Sequence, residues 1–128
     1  MTKFSDITSF GYSQFVEVDL GTCRMVIISG QVPLDDNGAI VGVGNFGVQA
    51  DLVYSNLLKY VHKAGGKPEH IVKLNTYLTD VSNLPQLRTI RDKYVNKANP
   101  PASTSVEVTS LFRSEVLIEI EATAIIPK

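Results

Sequence analysis

The N-terminal part of the chain has a pattern of apolar and polar residues that predicts paired β-strands. Residues 15–20 partly alternate, residues 25–28 are all apolar, and Gly21-Thr22 between them favours a turn. This combination is typical of a β-hairpin. A strong turn signal at residues 35–38 precedes Ala39-Ile40-Val41, and this sequence predicts a short third strand.

The middle of the chain predicts two helices separated by a strand. Apolar residues recur at close to helical spacing over residues 48–61, and a Gly-Gly-Lys-Pro sequence then ends the pattern. Residues 71–78 alternate as a strand does. Ser82 or Asn83 can cap a second helix, which must end before the paired prolines at 100–101.

The C-terminal part predicts two further strands. Residues 106–108 and 116–124 alternate, so we expect two terminal strands that pair with each other around residues 110–114. The order β-β-(β)-α-β-α-β-β predicts an α+β fold with one mixed sheet and both helices packed on a single face.

The other face of this sheet is expected to be bare. Glu119 and Glu121 lie at alternate positions of the last strand, so both point to one face, and Glu107 on a neighbouring strand is expected nearby. A face with both apolar and acidic residues suits a subunit partner. Crowding can raise a carboxyl pKa toward the range of an acid or base, but the same residues can equally point into solvent or form ion pairs between subunits.

Composition narrows the classes of function. At 128 residues the chain is expected to form one domain, and a net charge of -1 with 12 scattered basic residues disfavours nucleic acid as a partner. A single cysteine excludes an internal disulfide, and no Cys/His set has zinc-site spacing. Without a secretion signal or an apolar run of about 20 residues, the protein is expected to be soluble and cytoplasmic.

Four other features have ordinary explanations. Residues 42–47 match the dinucleotide fingerprint of glycines, but a hairpin precedes them, so a flexible loop before a helix is the better interpretation. Cys23 has no base nearby in sequence and is expected to be a passive thiol. His62 and His70 have no partner at ligand spacing and are expected at the surface.

Short motifs run through nearly the whole chain. They are Tyr12-Ser13-Gln14, Ser29-Gly30-Gln31-Val32-Pro33, Gln49 and Asn56, Ala64-Gly65, Val72-Lys73-Leu74 with Asp80, Pro101-Ala102, Val106-Glu107-Val108 and Ile118-Glu119-Ile120-Glu121-Ala122. Taken in this order, they resemble the Rid (reactive intermediate deaminase) family, also called YjgF or L-PSP proteins.

The resemblance implies a chorismate-mutase-like α+β fold and a homotrimer with small-molecule clefts at its subunit interfaces. Active members hydrolyse enamines and imines such as 2-aminoacrylate to 2-ketoacids and ammonia without a cofactor. The resemblance places Tyr12, Ser29, Gly30 and Glu119 in this cleft. The Gly30 amide would hold a carboxylate oxygen, Glu119 would position a water and shuttle its proton, and Tyr12 would close the pocket.

One residue departs from the family pattern. The family's deaminases have Pro-Ala-Arg, whose arginine binds the substrate carboxylate, whereas this chain has Ser103. Losing such a charged pair costs about 2 to 5 kcal/mol of binding free energy. Arg88, at a position usually held by a pocket asparagine, and Arg91 one turn further are candidates to replace the charge; the alternatives are a solvated Arg88 and an Arg91 packed on the apolar stripe.

The favoured interpretation is an arginine-less Rid homotrimer that binds a small metabolite and hydrolyses an imine or a related small amide. Glu119 would be the acid and base, and Ser29, Ser103 and Ser105 would be polar contacts. The alternative is a non-catalytic module that senses a metabolite with the same cleft. An endoribonuclease ranks last, because the chain has no basic patch, histidine pair or aromatic platform.

Overall fold

The computed structural model describes all 128 residues as one six-stranded sheet and two α-helices. The strands are β1 (Thr2–Ile7), β2 (Ser13–Asp19), β3 (Cys23–Gln31), β4 (Ile71–Leu78), β5 (Ala102–Glu107) and β6 (Ile118–Pro127), and the helices are α1 (Phe46–Lys63) and α2 (Leu84–Arg91). The strand order is β1-β2-β3-β6-β4-β5. All neighbours are antiparallel except β4 and β5, so the sheet is mixed, as the sequence predicted.

Both helices pack on one face of this sheet. Ile118, Ile120 and Ala122 of β6 are buried against the helices, and they alternate with half-buried residues that point to the other side. Leu57 of α1 and Leu87 of α2 belong to the same core cluster. The predicted α+β arrangement with two helices on a single face is therefore confirmed.

Helix α1 begins and ends where its flanking residues satisfy the free backbone groups. The side chain of Asn45 accepts a hydrogen bond from the Val48 N–H at 3.1 Å, so the helix begins at Phe46, two residues before the apolar pattern indicated. At the other end Gly65 has φ of 85°, a left-handed conformation that stops the helix.

Two expectations about the N-terminal half are wrong. Strand β1 gives no strand signal in the sequence, because it is an edge strand whose residues are nearly all exposed. The predicted third strand at residues 39–41 forms only one bridge, Leu34 to Ile40. The Asp35 side chain accepts hydrogen bonds from the N–H groups of Asn37 and Ala39, and this turn leaves too few residues for a strand.

The predicted pairing of the two terminal strands is also wrong. Strand β6 lies between β3 and β4, whereas β5 pairs in parallel with β4 at the sheet edge. Five β6 side chains on the helix face are buried, so this strand belongs in the centre of the sheet. The mostly exposed β5 side chains suit an edge.

The sheet face without helices, called here the open face, carries apolar residues near acidic ones. Ile27 is 45% exposed there, and its cross-strand neighbours are Val16 and Thr123. Glu119 and Glu121 share this face, as predicted, since they alternate with the buried Ile118 and Ile120. Neither helix has the length and apolar composition that crossing a bilayer demands.

Glu107 does not join the other two glutamates, contrary to the expectation. It pairs in register with Leu78, which is buried on the helix face. Its carboxylate accepts a hydrogen bond of 2.9 Å from the Val81 N–H, and so it fastens the short turn before α2. Glu107 therefore has a structural role on the opposite side of the sheet.

Candidate functional site

A cavity of about 670 Å³ at one end of the sheet contains four of the residues singled out in the sequence. We call it the glutamate cavity. Its lining residues are Phe10, Tyr12, Ser29, Gly30, Val32, Leu34, Gly38, Phe112, Arg113 and Glu119. Its volume lies in the range of small-molecule sites.

The end of β3 is shaped to accept the Glu119 side chain. The register between β3 and β6 shifts between Ile28 and Gln31, so Ser29 and Gly30 together oppose one residue of β6. Such a bulge leaves one residue out of the ladder. A Cβ atom at Gly30 would overlap the Glu119 carboxylate, so only glycine lets this carboxylate lie against the strand.

Glu119 is the glutamate that is free to act in the cavity. Burial raises its pKa above the ordinary value, and the nearby charge of Glu121 adds to the effect. Glu121 accepts a hydrogen bond of 2.7 Å from the Tyr77 hydroxyl and does not line the cavity. A carboxyl with a raised pKa and no hydrogen-bond partner in the chain can accept and donate a proton near neutral pH.

Two other predicted residues lie at the cavity wall. The Ser29 hydroxyl donates a hydrogen bond of 2.7 Å to the Ser13 carbonyl, so towards a ligand its oxygen can serve as an acceptor. Tyr12, in the turn between β1 and β2, is 46% exposed and lines the mouth. Tyr12, Ser29, Gly30 and Glu119 are therefore brought together in one chain.

The remaining predicted residues lie in a second cavity on the helix side of the sheet. This cavity of about 360 Å³, called here the serine cavity, is lined by Tyr54, Thr76, Leu84, Leu87, Arg88, Arg91, Ser103 and Ser105. Ser103 and Ser105 pair in register with Leu74 and Thr76, which are buried on the helix face. One chain therefore does not bring Arg88, Ser103 or Ser105 to Glu119.

The serine cavity is rich in hydrogen-bond donors and has no acidic lining residue. Arg88 forms no ion pair, whereas the Arg91 guanidinium lies 3.3 Å from the Asp92 carboxylate. Tyr54 is 1% exposed, and burial raises its pKa to about 12. The serine cavity can therefore supply neutral hydroxyl donors and one unpaired guanidinium.

Sequence reasoning missed three lining residues of the glutamate cavity. Phe10 and Phe112 are exposed aromatic residues in loops, and Arg113 follows Phe112 in the connection from β5 to β6. No periodicity marks loop residues, so their position depends on the fold. The one available signal was the sequence Leu-Phe-Arg at 111–113, a large apolar pair next to a cation in a segment predicted to be a turn.

Two amides of α1 hold the loops that line the glutamate cavity. The fully buried Gln49 donates to the Glu115 carbonyl and accepts from the Leu117 N–H, both at 2.8 Å. Two turns along, Asn56 donates to the carbonyls of Val32 and Leu34 at 3.2 and 3.1 Å. The helix therefore fixes both walls of the cavity from behind.

The other side chains considered in the sequence lie outside both cavities. Cys23 pairs with Pro127 at the far end of β6 from Glu119. His62 is exposed on α1, and the His70 ring nitrogen Nδ1 accepts a hydrogen bond from the Lys67 N–H. No cluster of three His, Cys, Asp or Glu side chains is placed to hold a metal ion.

Comparison with known proteins identifies the family. The model of the family described as "Endoribonuclease L-PSP" matches residues 6–126. The chain belongs to this Rid/YjgF/L-PSP family. Protein DfrA of Myxococcus xanthus is 34% identical over 114 residues, which cover 89% of this chain and 84% of that protein.

Two further relatives connect the family to a chemistry and to the fold. The human 2-iminobutanoate/2-iminopropanoate deaminase is 32% identical over 114 residues, or 89% of this chain and 79% of that enzyme. The crystal structure of the Rid-family protein YyfA of Yersinia pestis has a TM-score of 0.85 at 27% identity and covers 97% of this chain and 98% of YyfA. The mixed sheet with two helices is therefore the YjgF-like fold.

Proposed function

We propose that this Rid-family protein hydrolyses a small imine or enamine to a carbonyl compound and ammonia, with Glu119 as acid and base. The observation that carries the proposal is the Glu119 carboxyl, which lies in a cavity of ligand size, against Gly30, with a raised pKa. The printed name of the human relative describes an enzyme of this chemistry.

The chemistry needs only water and a group that moves protons. Ionised Glu119 accepts a proton from water as the water oxygen bonds to the imine carbon, and the imine nitrogen gains a proton. The resulting carbinolamine passes its hydroxyl proton to nitrogen through Glu119, the C–N bond breaks, and ammonia leaves behind a carbonyl group. A raised pKa suits this double role because the proton must be taken up and returned at the same pH.

The working unit is proposed to be a homotrimer with the cleft between subunits. Two observations support an assembly: the open face carries exposed apolar residues, and the candidate residues are divided between two cavities on opposite sides of the sheet. In the proposed trimer, Arg88, Ser103 and Ser105 of one subunit complete the glutamate cavity of the next. They supply hydrogen-bond donors for the polar end of the ligand.

A non-catalytic metabolite-binding module is the second candidate. Ser103 favours it, because a single neutral hydroxyl stands where the resemblance implies an arginine that binds the substrate carboxylate. A sensor needs the cavity but no proton transfer. Saturable binding without ammonia release would select this function.

The first test measures ammonia release from 2-iminopropanoate and 2-iminobutanoate generated in situ. We expect turnover by the wild type and a loss of about 100-fold or more in Glu119→Gln, because general acid–base catalysis contributes about 10² to 10⁴. Glu69→Gln, on an exposed turn, is the matched control and should keep full activity.

Thermal unfolding shows whether the Glu119→Gln variant is folded. The pKa of Glu119 is raised in the folded state, so its ionisation destabilises the fold as pH rises through that pKa. The neutral glutamine should therefore unfold at the same or a higher temperature than the wild type at pH 7. An active Glu119→Gln variant would contradict the proposed role.

A further inference from the structure

Arg113 is the single cationic side chain that lines the glutamate cavity. It takes part in no ion pair, not even with Glu119 in the same cavity. Its guanidinium carbon lies 5.8 Å from the ring centroid of Phe112, a distance at which the ring face attracts the cation. The cavity therefore has an unneutralised positive charge at its wall.

The segment that carries Arg113 is held in place from the core. Gln49 bonds to the backbone of Glu115 and Leu117, a few residues after Arg113 and just before β6. The same connection leads directly to Glu119. The backbone positions of the cation and the carboxyl are thus fixed relative to each other within one chain.

The chemistry of a 2-imino acid limits which residue can bind its carboxylate. The carboxylate carbon is bonded directly to the imine carbon, so a group that binds it must lie in the same cavity as the group that acts on the imine. Arg113 satisfies this condition within the chain. Arg88 and Arg91 line the cavity on the other side of the sheet, and Arg91 is already paired with Asp92.

We propose that Arg113 determines substrate specificity by binding the substrate carboxylate, in place of the arginine that Ser103 replaces. The inference rests on the proposed function and narrows its substrate class to small aliphatic 2-imino acids. The carboxylate pairs with Arg113, the imine carbon faces Glu119, and the alkyl group packs against Phe10, Phe112 and Leu34.

The test measures binding without turnover, by ligand-observed NMR titration. The probes are 2-oxobutanoate, which is the product of one expected substrate, and its neutral amide 2-oxobutanamide. We expect Arg113→Ala to raise the Kd of 2-oxobutanoate about 10- to 100-fold, the range of a charged hydrogen-bonded pair, and to leave 2-oxobutanamide within about two-fold. Arg113→Lys keeps the charge without the two-pronged geometry and should fall between.

Two further variants make the result specific. Lys67→Ala removes an exposed cation outside both cavities and should leave both affinities unchanged. Arg88→Ala is the rival, and as a hydrogen-bond donor it should weaken both probes alike. The proposal is overturned if Arg113→Ala binds 2-oxobutanoate normally, if the wild type shows no preference for the anion, or if Arg88→Ala alone loses that preference.

Turnover separates this proposal from the proposed function. With imino acid substrates, Arg113→Ala should raise KM by a similar factor and change kcat little, whereas Glu119→Gln should lose kcat. Selective binding of 2-oxobutanoate without ammonia release from any imine would contradict the catalytic function and leave the role of Arg113 intact.

Discussion

Glu119 and Glu121 lie two residues apart on the same face of β6, yet their surroundings give them different chemistry. The Tyr77 hydroxyl donates to Glu121, and this hydrogen bond is the main reason why the pKa of Tyr77 is raised. Glu119 has no such donor, and burial raises its pKa. One hydrogen bond therefore distinguishes a structural carboxylate from a candidate catalytic one.

The pH dependence of the reaction should report the interaction between these two carboxylates. If ionised Glu119 is the base, kcat/KM rises with pH through its pKa, which the charge of Glu121 helps to raise. Glu121→Gln removes that charge and keeps an oxygen to accept the Tyr77 hydrogen bond. We therefore expect the acid limb of the pH–kcat/KM profile to move to lower pH, with the plateau rate little changed.

The opposite result would reassign the roles. An acid limb that does not move in Glu121→Gln, or a plateau reduced as far as in Glu119→Gln, would mean that the two carboxylates do not act as separate base and modulator. Glu115→Gln, in the loop before β6, is a control whose side chain is hydrogen-bonded to Ser114 and lies outside the cavity.

The sequence predicted the residues of the glutamate cavity better than those of the serine cavity. Alternation on β6 was enough to place Glu119 and Glu121 on one face, because the period of a strand is local. The neighbourhood of Glu107 was predicted wrongly, because it depends on β5 pairing with β4 rather than β6. Strand order is decided by contacts between distant segments, and no local pattern encodes it.

At the scale of whole elements, α1 does more than cover the sheet. Its buried Gln49 makes two hydrogen bonds to the segment before β6, and Asn56 makes two to the segment after β3. A polar side chain at a core position is costly unless every group is paired, and these amides are paired with backbone groups of the loops. Apolar periodicity predicted the helix, but only the structure explains its two amides.

Replacing Gln49 by methionine should destabilise the fold and loosen the wall that carries Arg113. The side chain keeps its length, but the Glu115 carbonyl and Leu117 N–H lose their partners, at about 1 to 3 kcal/mol for each group. We expect a loss of about 2 to 5 kcal/mol in the free energy of unfolding by urea. Measurements must share one protein concentration, since an oligomer unfolds in a concentration-dependent way.

The matched control is Gln86→Met on the exposed surface of α2, which should change stability by less than about 0.5 kcal/mol. If Gln49→Met is as stable as this control, water or another donor must satisfy the two backbone groups, and the helix does not fix the loop as described. Equal stability with full activity would sink the positioning role altogether.

At the scale of the whole molecule, two features point to the same assembly. The open face of the sheet has no cover in a single chain, and its apolar residues include Phe4, Ile27 and Val106, all more than 40% exposed. The candidate binding residues are separated by the sheet itself. A symmetric oligomer that covers the open face can answer both problems, since each subunit can present its serine cavity to the glutamate cavity of the next.

Ile27→Asp tests that assembly directly, because Ile27 lies in the middle of the open face between Val16 and Thr123. The aspartate remains solvated in a free monomer, but in the trimer it would bury an unpaired charge at each interface, which costs several kcal/mol. We expect light scattering to find a trimer for the wild type and monomers for Ile27→Asp. Ammonia release should fall with dissociation, because the monomer lacks the second wall of the cleft.

Val48→Asp is the control, since Val48 has a similar exposure of 42% but lies in the first turn of α1, where an acidic residue suits the helix dipole. It should remain a trimer with normal activity. A wild-type dimer or monomer would rule out the cleft between three subunits, and a trimeric Ile27→Asp would place the interface elsewhere on the surface. An active monomer would go further: it would mean that Glu119 and Arg113 of one chain are sufficient, and that the serine cavity takes no part in the reaction.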